Sequence, residues 1–189
     1  MRIIGGTLKG RVLKTPVGYE TTRPTADRAK EGLFNILSAR LASNGKTWTQ
    51  TVFFDGFAGS GAMGIEALSR GASHVFFVEK DKKALACLKE NLQGLPAFSF
   101  TLFNDDILRL PEKTNDLPFP DILFLDAPYG KGLWEKALVA LVQKNWITPK
   151  TICICETEKK FQTPFLPDFE LLEERSYGRP VFLFFRLKK

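Results

Sequence analysis

Histidine and cysteine are nearly absent from this chain of 189 residues, which holds one His and three Cys. His74 has no second histidine with which to share a metal or complete a nucleophilic triad. Cys87, Cys153 and Cys155 form an odd set without zinc-ligand spacing. Cys153 and Cys155 alternate within the apolar run 151–156, so burial on one face of a strand is expected, in a reducing cytoplasm. No stretch reaches the roughly 18 apolar residues of a membrane span. The opening Met1-Arg-Ile-Ile-Gly-Gly6 lacks the apolar run of a signal peptide. Repeats and low-complexity segments are missing too. What is present is 44% hydrophobic residues with 17 Phe, enough for one α/β core with a small appendage.

Acidic residues are scarce at one end. Residues 1–50 hold nine Lys or Arg against three acids, which accounts for the entire net charge of +6, and the rest of the chain is balanced. Such a one-ended excess is an electrostatic footprint for a polyanion, although a solvated basic face has the same composition. Arg2, Lys9, Arg11, Lys14 and Arg23 are the candidate phosphate contacts.

The pattern along the chain predicts an N-terminal basic β-hairpin extension over 1–24, followed by one domain over 25–189. In the extension, Gly5-Gly6 supplies a turn and Arg23-Pro24 ends in extended backbone. Thr25 is placed to cap a helix over 26–43 whose apolar face carries Ala26, Ala29, Leu33, Phe34, Leu37 and Leu41. Apolar runs at 51–55, 75–79, 99–103, 121–126 and 151–156 then alternate with helical segments. Two further runs, 169–175 and 181–187, flank the turn Tyr177-Gly-Arg-Pro180. Strands with helical crossovers make a doubly wound, Rossmann-like parallel sheet. A seven-stranded sheet closing on an antiparallel hairpin is the arrangement of class I methyltransferases.

Asp55-Gly-Phe-Ala-Gly-Ser-Gly61 leaves the first run and opens a helix. Glycines at that place let backbone approach a ligand at the carboxyl ends of the strands. Gly59-Ser-Gly-Ala-Met-Gly64 also satisfies the dinucleotide fingerprint. The acids favour S-adenosylmethionine instead. Asp55 can meet the amino group of a methionine moiety, Glu79 the two ribose hydroxyls, and Asp105 an exocyclic adenine amine, with Asp106 as its alternative and Lys80 beside Glu79. The competing role for any of these carboxylates is to cap a neighbouring helix.

The fourth run ends in Asp126-Ala-Pro-Tyr129. An amine on a purine ring is a poor nucleophile because its lone pair is delocalised into the ring. The Asp126 carboxylate and the Ala127 carbonyl can accept its two hydrogens, while Pro128 fixes the backbone and Tyr129 stacks on the base. Catalysis would then be positioning and electrostatics, with no serine or cysteine nucleophile. A base inside folded RNA must be splayed out to reach such a pocket. Adenine-N6 methylation of DNA or of another RNA fits the same loop.

Met1-Arg-Ile-Ile-Gly-Gly6, Gly10-Arg11, Arg23-Pro-Thr-Ala-Asp-Arg28, Glu31-Gly-Leu-Phe-Asn35, the run 55–72 and Asp126-Ala-Pro-Tyr129 together resemble the RsmD family of bacterial 16S ribosomal RNA guanine-N2 methyltransferases. The resemblance spans almost the whole chain, and its N-terminal block is the specific part. It implies cofactor contacts at Asp55, Gly56, Phe57, Ala58, Gly59, Ser60, Gly61, Glu79, Lys80, Asp105 and Asp106. It places the chemistry at Asp126–Tyr129. It also implies that the basic hairpin, with Thr25 and Arg28, meets RNA beside the site. The implied partner is 16S rRNA in the small subunit or its assembly intermediate, and the implied enzyme is a cytoplasmic monomer without a metal. Where the family usually carries a proline after the aspartate, this chain has Ala127, which keeps the carbonyl. Pro128 still biases that residue toward extended backbone.

Overall fold

Short apolar runs bounded by turns and separated by amphipathic segments favour parallel strands joined by helices. A computed structural model describes residues 1–16, 27–128, 132–158 and 166–189, with the helical backbone of 24–26. Its strands are β1 (Val52–Asp55), β2 (His74–Val78), β3 (Phe100–Phe103), β4 (Ile122–Leu125), β5 (Ile152–Glu158), β6 (Phe169–Ser176) and β7 (Pro180–Leu187). Its helices are α1 (Pro24–Ser43), α2 (Ala62–Ser69), α3 (Lys82–Leu92) and α4 (Leu133–Gln143).

The strands form one sheet in the order β3-β2-β1-β4-β5-β7-β6. The first five are parallel, and β7 inserts antiparallel between β5 and β6. The chain turns to opposite sides of β1 to build β2 and β4, so the switch point lies between β1 and β4. A ligand site is expected at the carboxyl ends of those two strands.

Alternation along each strand divides the core in two. Phe53, Phe77, Phe124 and Ile154 face Leu33, Phe34, Ile65 and Leu88 from α1, α2 and α3. Phe54, Phe76, Leu123 and Cys155 face Leu138 and Leu141 of α4 and the fully buried Trp146. Cys153 and Cys155 are both buried free thiols on the same side, as their alternation requires.

Two local expectations change. Helix α1 starts at Pro24, so Thr25 lies inside the first turn rather than at the cap. A proline suits the first helical position because its fixed φ matches the helix and its missing N–H would be unpaired there. The N-terminal hairpin is reduced to a single bridge, Arg2 with Val12. Around that bridge, Ile3 N–H and Gly10 N–H still bond across the arm to the Arg11 and Ile3 carbonyls, each at 2.9 Å, while glycine-rich turn residues between them aim their amides at α2. Ile4 N–H donates to the Glu66 carboxylate at 2.9 Å, and Leu8 N–H donates to the Ser69 hydroxyl at 2.9 Å.

That arm is packed rather than splayed. Ile3 and Leu13 are buried in the same core as α1. Gly6 has φ +74°, and a Cβ there would lie 1.8 Å from the Ser69 carbonyl oxygen, so this close crossing requires glycine. Beneath it, the buried Glu66 carboxylate pairs with Lys30 at 3.2 Å and Arg70 at 2.9 Å. Lys30 also donates to the Arg2 carbonyl. Desolvation lowers the Lys30 pKa against the opposing pull of Glu66. Among the described residues, no helix is long and apolar enough to cross a membrane.

Candidate active site

The glycine turn leaves β1 at the switch point and is held by strand neighbours. Gly56 N–H donates to the Phe124 carbonyl at 2.9 Å, and Ala58 N–H donates to the Val78 carbonyl at 3.0 Å. The turn's glycines do different things. A Cβ at Gly56 would lie 2.4 Å from Leu125, and one at Gly61 would lie 2.4 Å from Leu88, so these two serve close packing. Gly59 has φ +55°, and a Cβ there would meet nothing within 4 Å. Its bare backbone therefore faces open space at the carboxyl edge of the sheet. Phe57 is half-buried beside it, while Ala58 and Ser60 are buried.

Asp55 is 2% exposed, and one of its carboxylate oxygens accepts the Gly64 N–H at 2.9 Å in the first turn of α2. Burial pushes its pKa up to about 7; the Gly64 hydrogen bond pulls the other way, and the charges of Asp126 and Glu79 raise it further. Asp55, Glu79 and Asp126 are thus brought close enough for their charges to interact. Glu79 follows β2 and uses both oxygens, one for Gly59 N–H and one for Asp81 N–H, each at 2.7 Å. It buttresses the exposed turn directly.

Asp105 is exposed after β3 and accepts its neighbour's N–H at 2.7 Å. Asp106 is spent structurally. It caps the 3-10 turn Ile107–Arg109 through Leu108 N–H and pairs with Lys80 at 2.8 Å, which holds its carboxyl below the usual range. Lys80 is occupied by the same pair.

Asp126 and Pro128 are exposed just past β4, and Ala127 between them is buried. Asp126 opens to solvent at the edge, yet protein surrounds its carboxyl closely enough that desolvation raises the pKa. It has no hydrogen-bond or ion-pair partner among the described residues. Tyr129 and Arg23 lie outside the described residues, as does the side chain of Thr25.

The basic residues of the arm divide by partner. Lys9 and Arg28 are exposed. Arg2 is paired with Asp27 at 2.9 Å, and Lys14 with Glu90, while both cations keep most of their surface in solvent. Arg11 has a structural task, donating to the Asn91 and Gln93 carbonyls at 2.7 and 3.0 Å, at the end of α3. Three polar residues that the sequence reading passed over, Lys30, Glu66 and Asn91, prove buried at the joints of this region. The signal for two of them was available. Lys30 lies on the stripe of Phe34, Leu37 and Leu41, and Glu66 lies in an almost wholly apolar helix. A charge in either place requires a partner.

The family described as conserved hypothetical protein 95 matches residues 1–186. The chain is 39% identical over 181 residues to ribosomal RNA small subunit methyltransferase D of Haemophilus influenzae, covering 94% of this chain and 89% of that one. The Escherichia coli K12 protein of the same name is 32% identical over 184 residues, covering 96% and 87%. Among solved structures, a Haemophilus influenzae protein described as a methylase superposes with a TM-score of 0.77 at 34% identity, over 100% of this chain and 99% of that one. An Escherichia coli protein described as a methyltransferase gives 0.80 at 28%, over 100% and 98%.

Proposed function

The chain belongs to the conserved hypothetical protein 95 family, the RsmD family, and from that premise we propose that it methylates ribosomal RNA, on the exocyclic N2 of a guanine in the 16S molecule, with S-adenosylmethionine as donor. The observation that carries the reading is the cluster of carboxylates on the bare edge at the switch point: Asp55, Glu79 and Asp126 beside the open backbone of Gly59. The donor, when bound, supplies an electrophilic methyl group on a sulfonium.

The remaining work falls to this chain's own residues. Gly59, without a side chain, leaves room for a ligand to lie against backbone. Glu79 fixes that backbone and keeps lone pairs directed at the edge for hydroxyl donors. Asp55 offers its second oxygen to an ammonium group, whose positive charge would return the carboxyl toward its ionised form. Asp126 and the Ala127 carbonyl accept the hydrogens of the target amine, which localises the nitrogen lone pair for attack. Exposed Lys9 of the arm and Arg28 of α1, with Arg2 and Lys14, supply phosphate contacts that add affinity without choosing the base.

The test is transfer of labelled methyl from S-adenosylmethionine to small subunits, and to naked 16S RNA, from cells lacking this activity, followed by mass spectrometry of the nucleosides. Labelled N2-methylguanosine is the expected product. Label in N6-methyladenosine would overturn the base assignment, and cofactor binding without any label in 16S RNA would overturn the substrate.

A further inference from the structure

The last turn of α3 is a junction between two parts of the molecule with different tasks. Asn91 is 4% exposed, and every hydrogen-bonding group of its side chain is used. Its Oδ1 accepts the Lys14 N–H at 2.8 Å. Its Nδ2 donates to the Lys14 carbonyl at 2.8 Å and to the Ser60 carbonyl at 2.9 Å. One planar amide therefore ties the N-terminal arm to the glycine turn. Two neighbouring contacts hold that amide in place. Arg11 grips the Asn91 backbone carbonyl, and Leu88, one helical turn earlier, packs against Gly61 so closely that a Cβ there would lie 2.4 Å away.

We propose that Asn91 is a positioning residue that couples the N-terminal arm to the glycine turn, so that a ligand seated on the turn orders the arm that meets RNA. The inference rests on the S-adenosylmethionine reading above and extends it to the order of events. A buried, fully satisfied amide transmits displacement because moving either backbone breaks a bond that no water replaces. The coupling is reciprocal, as any equilibrium linkage must be, so RNA on the arm also tightens the turn around its ligand. A second attachment, through Glu66, Ser69 and Lys30, keeps the arm folded when the Asn91 link is cut.

The experiment is hydrogen exchange of the full chain with and without S-adenosylhomocysteine, comparing wild type with Asn91→Leu and Asn91→Asp. Leucine keeps the branching of the side chain and removes its donors and acceptor, although it is the bulkier residue. Aspartate keeps the acceptor for Lys14 N–H and loses the donor to Ser60, which gives a second variant should the first fold poorly. In the wild type, ligand is expected to slow exchange at residues 1–16 by about fivefold or more, the lower end of ordinary site-to-site coupling. In either variant the turn at 56–61 should remain protected by ligand while the arm's response falls below about twofold, against that same scale. An arm that responds in the variants as it does in the wild type, or that fails to respond in the wild type, overturns the coupling. Absence of any ligand protection at the turn itself overturns the cofactor reading instead, and this inference with it.

Discussion

Strand β4 carries an aspartate at each end, and the two are treated oppositely. Asp121, just before the strand, is neutralised: one oxygen pairs with Lys46 and the other accepts the Val52 N–H at 3.0 Å. Asp126, just after it, faces the like charge of Asp55, and protein desolvates it without a compensating cation among the described residues. The same residue type on one four-residue strand thus serves as cement at one edge of the sheet and is left uncompensated at the other. An uncompensated carboxylate at the switch point costs folding free energy, and under the function proposed above a ligand or substrate supplies the missing charge or donors there.

Exchanging charge for amide at the uncompensated end is the most direct way to break this comparison. Asp126→Asn should lower methyl transfer by about 10²–10³-fold, the usual effect of removing one preorganised electrostatic group. Cofactor affinity, read by calorimetry, should stay within about twofold of wild type, because only a group acting in the transition state is lost. Thermal stability should hold or rise. Full activity in this variant would remove the aspartate from the chemistry.

A pH profile sharpens the same contrast. In the proposed role Asp126 needs both oxygens as acceptors and its negative charge, which only the ionised form supplies, and its pKa is raised. Methyl transfer at saturating substrate should therefore fall as pH drops through a range above that of ordinary carboxylates, by about tenfold per unit on the acid limb. A rate that stays flat down to the usual aspartate pKa would show that the carboxyl is not the titrating group.

Asp55→Asn probes the cost of leaving charge buried. Its folded pKa, about 7, lies above the unfolded value near 3.9, so its contribution to stability is fully present below the unfolded value and is lost as pH rises through about 7. Without ligand, the variant should be more stable than wild type by on the order of 2 kcal/mol at alkaline pH, a margin below the full linkage limit, and the difference should shrink toward zero in acid. Urea titrations at several pH values decide it. A pH-independent difference would mean that Asp55 titrates alike in the folded and unfolded chain.

The fold was legible because its signals are local. Each apolar run is short and bounded, and the run 121–126 contains β4 (Ile122–Leu125) with one acid on either side. The glycine turn and the Asp126-Ala-Pro motif were legible for the same reason, since turn chemistry resides in adjacent residues. What escaped was pairing across distance. Whether Asp106 binds a ligand or caps a turn depends on Lys80, which lies on a different connection. Whether Arg11 faces phosphate or closes a helix depends on where α3 ends. Asn91 carried no signal at all, because an asparagine near a helix end is ordinary until its three backbone partners are assembled around it.

The smallest expected effect belongs to the cementing end. Asp121→Ala removes the acceptor of Val52 N–H and the partner of Lys46. The ion pair is half in solvent, with 44% of Lys46 and 22% of Asp121 exposed, so screening leaves it worth at most about 1 kcal/mol. The orphaned amide adds a comparable cost, for about 1–2 kcal/mol in all. Methyl transfer per folded molecule should stay within about twofold of wild type, because the substitution lies a full strand length from the carboxyl edge. A double-mutant cycle with Lys46→Met separates the two contributions, and raising the salt concentration should erase only the ion-pair part. If Asp121→Ala instead abolished transfer while the protein remained folded, the two ends of β4 would not be independent. The division between a cementing edge and a working edge would then fail at its root.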